Sequence, residues 1–103
     1  MSRPKSIADA DIQKRLDEGQ DGALSGWTLT EGKLHRDFRF DNFIEAFGFM
    51  TQVALMAEKM DHHPEWSNVY SQVAVDLTTH DAGGVTDLDF QLAEFMNQAS
   101  TTK

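Results

Sequence analysis

Apolar residues recur along the chain with two periods, and the switches between them divide it into helices and strands. Ile12 and Leu16, four apart and followed by Gly19, predict a short amphipathic helix over residues 6–18, with Ser6 and Asp9 as a variant capping box. After the linker GQDGALSG the pattern becomes alternating. Leu34, Arg36, Phe38 and Phe40 fall on one face of a strand, and Lys33, His35, Asp37 and Arg39 on the other. With residues 27–30 this strand forms a hairpin about Glu31-Gly32. His35 lies on the polar face and is expected to be solvent-exposed.

Helical periodicity returns with Asp41 as the expected cap and runs to about Asp61, since Pro64 disfavours the helical region for His63. At 100° per residue the apolar side chains form two stripes. Phe43, Ile44, Phe47, Met50, Ala54 and Ala57 are expected to cover the sheet, while Phe49, Val53, Met56 and Met60 are expected to face outward as a subunit contact. Residues 66–70 and 72–79 read as two more strands, in which Val73, Val75 and Leu77 alternate with Ala74, Asp76 and Thr78 and put His80 opposite the valines. Thr86 caps a last helix, with Asp89 at the capping-box position, Val85 and Phe90 as a hydrophobic staple, and Leu88, Leu92 and Phe95 as its buried stripe. Residues 1–5 and 99–103 are expected to fray. Helix, two strands, helix, two strands, helix predicts an α+β fold: one domain over residues 1–103, with a four-stranded antiparallel sheet and helices packed on one face.

Composition narrows the function. A formal charge of −8, from 17 acidic against 9 basic residues, argues against direct nucleic-acid binding. With no cysteine, thiolate chemistry and disulfides are excluded. No apolar run reaches the length of a signal peptide core or membrane span, so a soluble, cytoplasmic protein is expected. A chain of 103 residues has little surplus core, which favours association with copies of itself.

The candidate chemistry lies in the histidines, whose ordinary pKa near 6.5 allows proton transfer in both directions near neutrality. His62 and His63 end a helix, and His80 ends a strand before a Gly-Gly loop. Convergence of those ends would assemble two or three proton carriers, with Glu58, Asp61 and Asp81 as neighbouring acceptors. Glu58 falls within the stripe expected to face the sheet, where a carboxylate needs a partner or a cleft. Adjacent histidines without an HExxH or HxH pattern argue against a metal site. Histidines satisfied by local hydrogen bonds are the plainer alternative.

The stretch FxxAFGFMTxVALxAEKxDHHPEW from Phe43 to Trp66, followed by NVY and LTTHDAGGVTDLD, resembles the pterin-4a-carbinolamine dehydratases. That family is also known as the dimerisation cofactor of an animal homeodomain transcription factor. The resemblance is strongest over residues 43–96 and extends back to Trp27. It implies a hydro-lyase that converts 4a-hydroxytetrahydropterin to quinonoid dihydropterin in tetrahydropterin recycling, with no metal or organic cofactor. His62, His63 and His80 match its catalytic histidines, with Pro64 and Thr79 beside them. Asp81 and Ala82 match positions that enclose the pterin, and Asp89 matches an aspartate near the site, although its capping role already accounts for it. On this reading His62 and His80 are the main proton-transfer pair, His63 assists, and Glu58 or a nearby carboxylate holds the amino-pyrimidinone edge. Val85, where leucine is common, and the variable loop pair Asp81-Ala82 leave the pocket shape open. The resemblance further implies a homotetramer, or else a homodimer, in contact through the central helix, and a functional link to an aromatic amino acid hydroxylase. The competing expectation is a non-enzymatic partner that docks a helix of a transcription regulator.

Overall fold

The computed structural model describes residues 4–101. Its order is α1 (Asp9–Gly19), β1 (Thr28–Thr30), β2 (Lys33–Arg39), α2 (Phe43–Met60), β3 (Glu65–Val69), β4 (Gln72–Leu77), a 3₁₀ turn (His80–Ala82) and α3 (Asp87–Thr101). The four strands form one antiparallel sheet in the order β1-β2-β4-β3. This is the α+β fold read from the sequence.

Local chemistry sets the boundaries. Glu31 and Gly32 both take positive φ, 53° and 78°, the backbone a two-residue hairpin requires. Tyr70 at φ 51° opens the β3–β4 turn, where Asn68 donates to the Tyr70 and Gln72 carbonyls. Two expected caps shift. The Ile7 amide donates to the Val85 carbonyl at 2.8 Å, which holds that segment extended until Ala8, so Ser6 does not cap α1. Asn42, not Asp41, caps α2 by accepting the Glu45 amide. At the other end Asp61, left-handed at φ 52°, stops α2 where the helix was expected to end, three residues before Pro64; its amide donates to the Glu58 carbonyl and the His62 amide to that of Ala57. α3 stays helical to Thr101 with Ala99 buried, so the expected fraying does not reach residues 99–101. The same expectation for residues 1–3 and 102–103 lies outside the described residues.

Leu34, Phe38, Val73, Val75 and Leu77 form the sheet's inner face, and the helices bury against it. Most of the α2 assignment is reversed from expectation, although Ala57 is buried and Met50 packs against the core as expected. Phe49 and Val53 are 3% and 0% exposed, with the Phe49 ring 4.7 Å from Phe38 and 5.0 Å from Phe40. Met56 and Met60 pack against that core, so Phe49, Val53, Met56 and Met60 are not an external subunit contact. Phe43, Ile44 and Phe47 instead lie exposed, with Ile44 at 81%. The buried face of α2 runs through Ala46, Phe49, Val53 and Ala57, so the helix turns Phe43, Ile44 and Phe47 away from the core. On α3 the buried apolar set is Phe90, Leu92, Ala93, Met96 and Ala99, with Leu88 and Phe95 only half-buried. Among the described residues no helix is long and apolar enough to cross a membrane.

Candidate active site

The end of α2 and the end of β4 meet at one cleft of about 190 Å³, lined by Asp61, His62, His63, Thr78, Thr79, His80 and Asp81. The left-handed turn at Asp61 brings His62 inward, where it is 5% exposed, while His63 remains on the surface. After Thr79 the chain makes its 3₁₀ turn and folds back, with Thr79 and Gly84 exchanging backbone hydrogen bonds; Gly83 supplies the left-handed φ of 76° this needs.

Each cleft histidine meets a different carboxylate. His62 Nε2 lies 2.5 Å from Asp89 Oδ1. Asp89 is fully buried and its other oxygen accepts both the Thr79 hydroxyl, at 2.8 Å, and the Thr86 amide, at 2.9 Å. Since Thr79 spends its one proton on Asp89, the Thr86 hydroxyl must donate to Thr79 Oγ1, 2.8 Å away, while it accepts the Leu88 amide. Both Asp89 oxygens and both threonine hydroxyls in this knot have partners, as buried polar atoms require. With Asp89 accepting, His62 Nε2 carries the hydrogen and Nδ1 is the basic nitrogen of the neutral ring. Asp89 thus both caps α3 and orients His62, so its capping role does not account for it fully.

The other two pairs are open to solvent. His63 Nε2 lies 2.9 Å from Glu58 Oε1. Glu58, expected on the sheet side, has an 83% exposed side chain, because the stripe containing it points outward. His80, with a 77% exposed side chain, puts Nε2 2.8 Å from Glu65 Oε2, and Lys33 Nζ stands 2.6 Å from Glu65 Oε1. The Lys33 hydrogen bond, followed by its charge and by the contact with His80, holds the Glu65 carboxyl below its usual range against the opposing effect of burial. Glu65 and Lys33 were not singled out from the sequence. Alternation along β2 and β3 places both on the outer face, but only the register shows that they meet across β4.

The remaining candidates lie around this arrangement. Pro64 connects His63 to β3, and Ala82 shares a second depression with Asp81, Pro4, Lys5 and Ser6. His35 lies away from the cleft on the outer sheet face and is not free in solvent: Nδ1 is 2.9 Å from Asp76 and Nε2 3.2 Å from Asp37. Burial opposes its charged form, but the two carboxylates outweigh that and raise its pKa above 6.5. Among the described residues no three His, Cys, Asp or Glu side chains converge as a metal-holding group.

Two unlike carboxylate-bound imidazoles facing one cleft can deliver a proton to one atom and remove one from another. Comparison with known proteins identifies the family. The family model described as pterin 4 alpha carbinolamine dehydratase matches residues 5–99. A relative from Solibacter usitatus, provisionally named a pterin-4-alpha-carbinolamine dehydratase, is 56% identical over 87 residues, covering 84% of this chain and 86% of its own. A second, from Prochlorococcus marinus and with the same provisional name, is 62% identical over 74 residues, covering 72% and 77%. The crystal structure of a Brucella melitensis protein described as a transcriptional coactivator/pterin dehydratase superposes with a TM-score of 0.84 at 43% identity, covering 93% of this chain and 99% of that one.

Proposed function

Because the chain belongs to the pterin 4 alpha carbinolamine dehydratase family, we propose that it is a hydro-lyase that dehydrates 4a-hydroxytetrahydropterin to quinonoid dihydropterin during tetrahydropterin recycling. The C4a–O bond breaks, the departing hydroxyl takes a proton and leaves as water, the N5–H proton is removed, and its electron pair forms the C4a=N5 bond. His62 and His80 are the proton-transfer pair, one donating to oxygen and the other accepting from N5, each through Nδ1. The observation that carries this reading is the shared cleft, in which His62 and His80 come from distant parts of the chain with Nε2 of each already engaged. His63 assists, and Thr79, Asp81, Ala82 and Pro64 shape the pocket. Asp89 acts through His62. Glu58, paired with His63 on the surface, meets the pterin's amino-pyrimidinone edge at the rim. No metal or organic cofactor takes part, and the reaction is cytoplasmic, serving an aromatic amino acid hydroxylase. One domain over residues 1–103 suffices for it.

Purified protein is expected to accelerate the decay of chemically generated 4a-hydroxytetrahydropterin, followed by absorbance, and His62→Ala and His80→Ala each to slow it by roughly 10²-fold or more. Wild-type rates in either variant would sink the assignment.

Assembly belongs to the same proposal. The exposed face of Phe43, Ile44, Phe47 and Leu55 takes over the contact first sought on the buried stripe, and pairs copies of the chain into a homotetramer, or failing that a homodimer. This face and the coactivator description of the Brucella melitensis protein support a second reading, in which a helix of a transcription regulator docks there. Native mass spectrometry with such a helix present separates the two: retention of a homo-oligomer without exchange counts against docking.

A further inference from the structure

On the outer face of the sheet, three side chains from three different elements form a continuous chain that ends at the cleft. Lys33 begins β2, Glu65 begins β3, and His80 follows β4, the strand between them. Glu65 uses one oxygen for each neighbour: Oε1 is 2.6 Å from Lys33 Nζ and Oε2 is 2.8 Å from His80 Nε2. Neither contact competes with the other for an atom. An ionised carboxylate offers only lone pairs, so a ring nitrogen at that distance is favoured in its hydrogen-bearing form. Free rotation of a surface histidine would otherwise leave both tautomers populated.

We propose that Glu65, anchored by Lys33 across β4, is a positioning residue for His80: it fixes Nε2 as the hydrogen donor and leaves Nδ1 as the nitrogen that exchanges a proton with substrate. This mirrors the role of Asp89 toward His62, but with an exposed carboxylate held by a cation in place of a buried one held by a hydroxyl and an amide. It rests on the dehydratase reading for the reaction step, and on the Lys33–Glu65–His80 geometry for the pairing. The ionised state of Glu65 that the pairing needs agrees with the lowering of its pKa by Lys33. The charged and titratable groups around His80 are Lys33 on β2, Glu65 on β3, Asp76 on β4, Asp81 on its own turn, and Asp61, His62 and His63 across the cleft. Of the carboxylates among the described residues, Glu65 is the one within ion-pair distance of the ring.

The test uses Glu65→Gln and Lys33→Met in the full chain, with two readouts: the His80 ring tautomer, read from its ring nitrogen chemical shifts by NMR, and dehydratase turnover. Wild type is expected to hold His80 as the Nε2–H tautomer, and Glu65→Gln to populate the Nδ1–H form while the His62 tautomer stays unchanged, with kcat falling about tenfold, less than for loss of the proton carrier itself, and KM changing by less than about twofold. Lys33→Met should loosen the same preference to a smaller degree, with kcat falling about two- to threefold as Glu65 loses its anchor. A Glu65→Gln protein with an unchanged His80 tautomer overturns the proposal, and so does one with a changed tautomer and unchanged kcat, which reduces the contact to a surface ion pair. Failure of the dehydratase reading would appear differently, as an inactive wild type; the ring tautomer then decides whether Glu65 governs His80.

Discussion

The two histidines proposed to move protons are held in opposite ways. His62 sits on Asp89, itself fully buried, in a network where both carboxylate oxygens and both threonine hydroxyls are matched. His80 sits on Glu65 at the surface, where water can replace any lost partner. Burial converts the first pair into part of the fold, since removing one member leaves the others unsatisfied in a dry environment. Exposure leaves the second pair as a matter of geometry and charge, with little bearing on stability.

The sharpest break of that contrast is Asp89→Ala. It orphans the Thr79 hydroxyl, the Thr86 amide and His62 Nε2 together, and should cost about 3 to 5 kcal/mol in urea unfolding. Glu65→Ala should stay within about 1 kcal/mol of wild type in the same measurement. Equal losses would erase the distinction between buried and exposed pairs.

Asp89→Asn isolates orientation from packing. The Thr79 hydroxyl and the Thr86 amide both need an acceptor, which pins the new amide oxygen at the Oδ2 position and turns its NH₂ toward His62. The ring must then accept at Nε2 and carry its hydrogen on Nδ1, the wrong tautomer for taking a proton. Turnover should fall by roughly 10²- to 10⁴-fold with the fold intact by circular dichroism. The exposed counterpart Glu65→Gln can reorient into water, hence its smaller expected loss.

A third, weaker pair extends the series. Glu58→Gln replaces the partner of His63, both well exposed, and should raise KM by about threefold or less with kcat unchanged, since exposed pairs contribute under ~1 kcal/mol. A kcat loss as large as that of Asp89→Asn would place the proton chemistry at His63.

The smallest effect belongs to His35, outside the cleft. Its folded pKa lies above 6.5 because Asp76 and Asp37 outweigh burial, so its contribution to stability is fully present below about pH 6.5 and lost as pH rises through the folded value. His35→Gln should therefore lower stability by less than about 1 kcal/mol at pH 5.5 and leave it unchanged at pH 9, compared by urea unfolding. A deficit that grew with pH would reverse the sign assigned to the two carboxylates.

What the sequence revealed follows the range of the interactions involved. The Glu31-Gly32 hairpin, the β4 alternation and the Thr86–Asp89 capping box are local, and all appear in the structure. The identity of the α2 core face was not local. Periodicity separates two stripes but does not say which one meets the sheet, and the larger aromatic residues misled, because Phe49 and Val53 fill the space that Phe43 and Phe47 were expected to fill. At the candidate site, His62, His63 and His80 were visible as punctuation at element ends. The second role of Asp89 depends on how the end of α2 approaches the start of α3, and the contacts of Glu65 depend on strand register, neither of which a single sequence displays.

The central claim is that His62 and His80 act as one proton-transfer pair, and the most direct measurement is dehydratase turnover of His62→Ala, His80→Ala and the double variant. Two groups serving one step should each cost roughly 10²-fold or more alone, while the double variant should lose little beyond the worse single. Losses that multiply fully in the double variant would mean independent roles and contradict the pair.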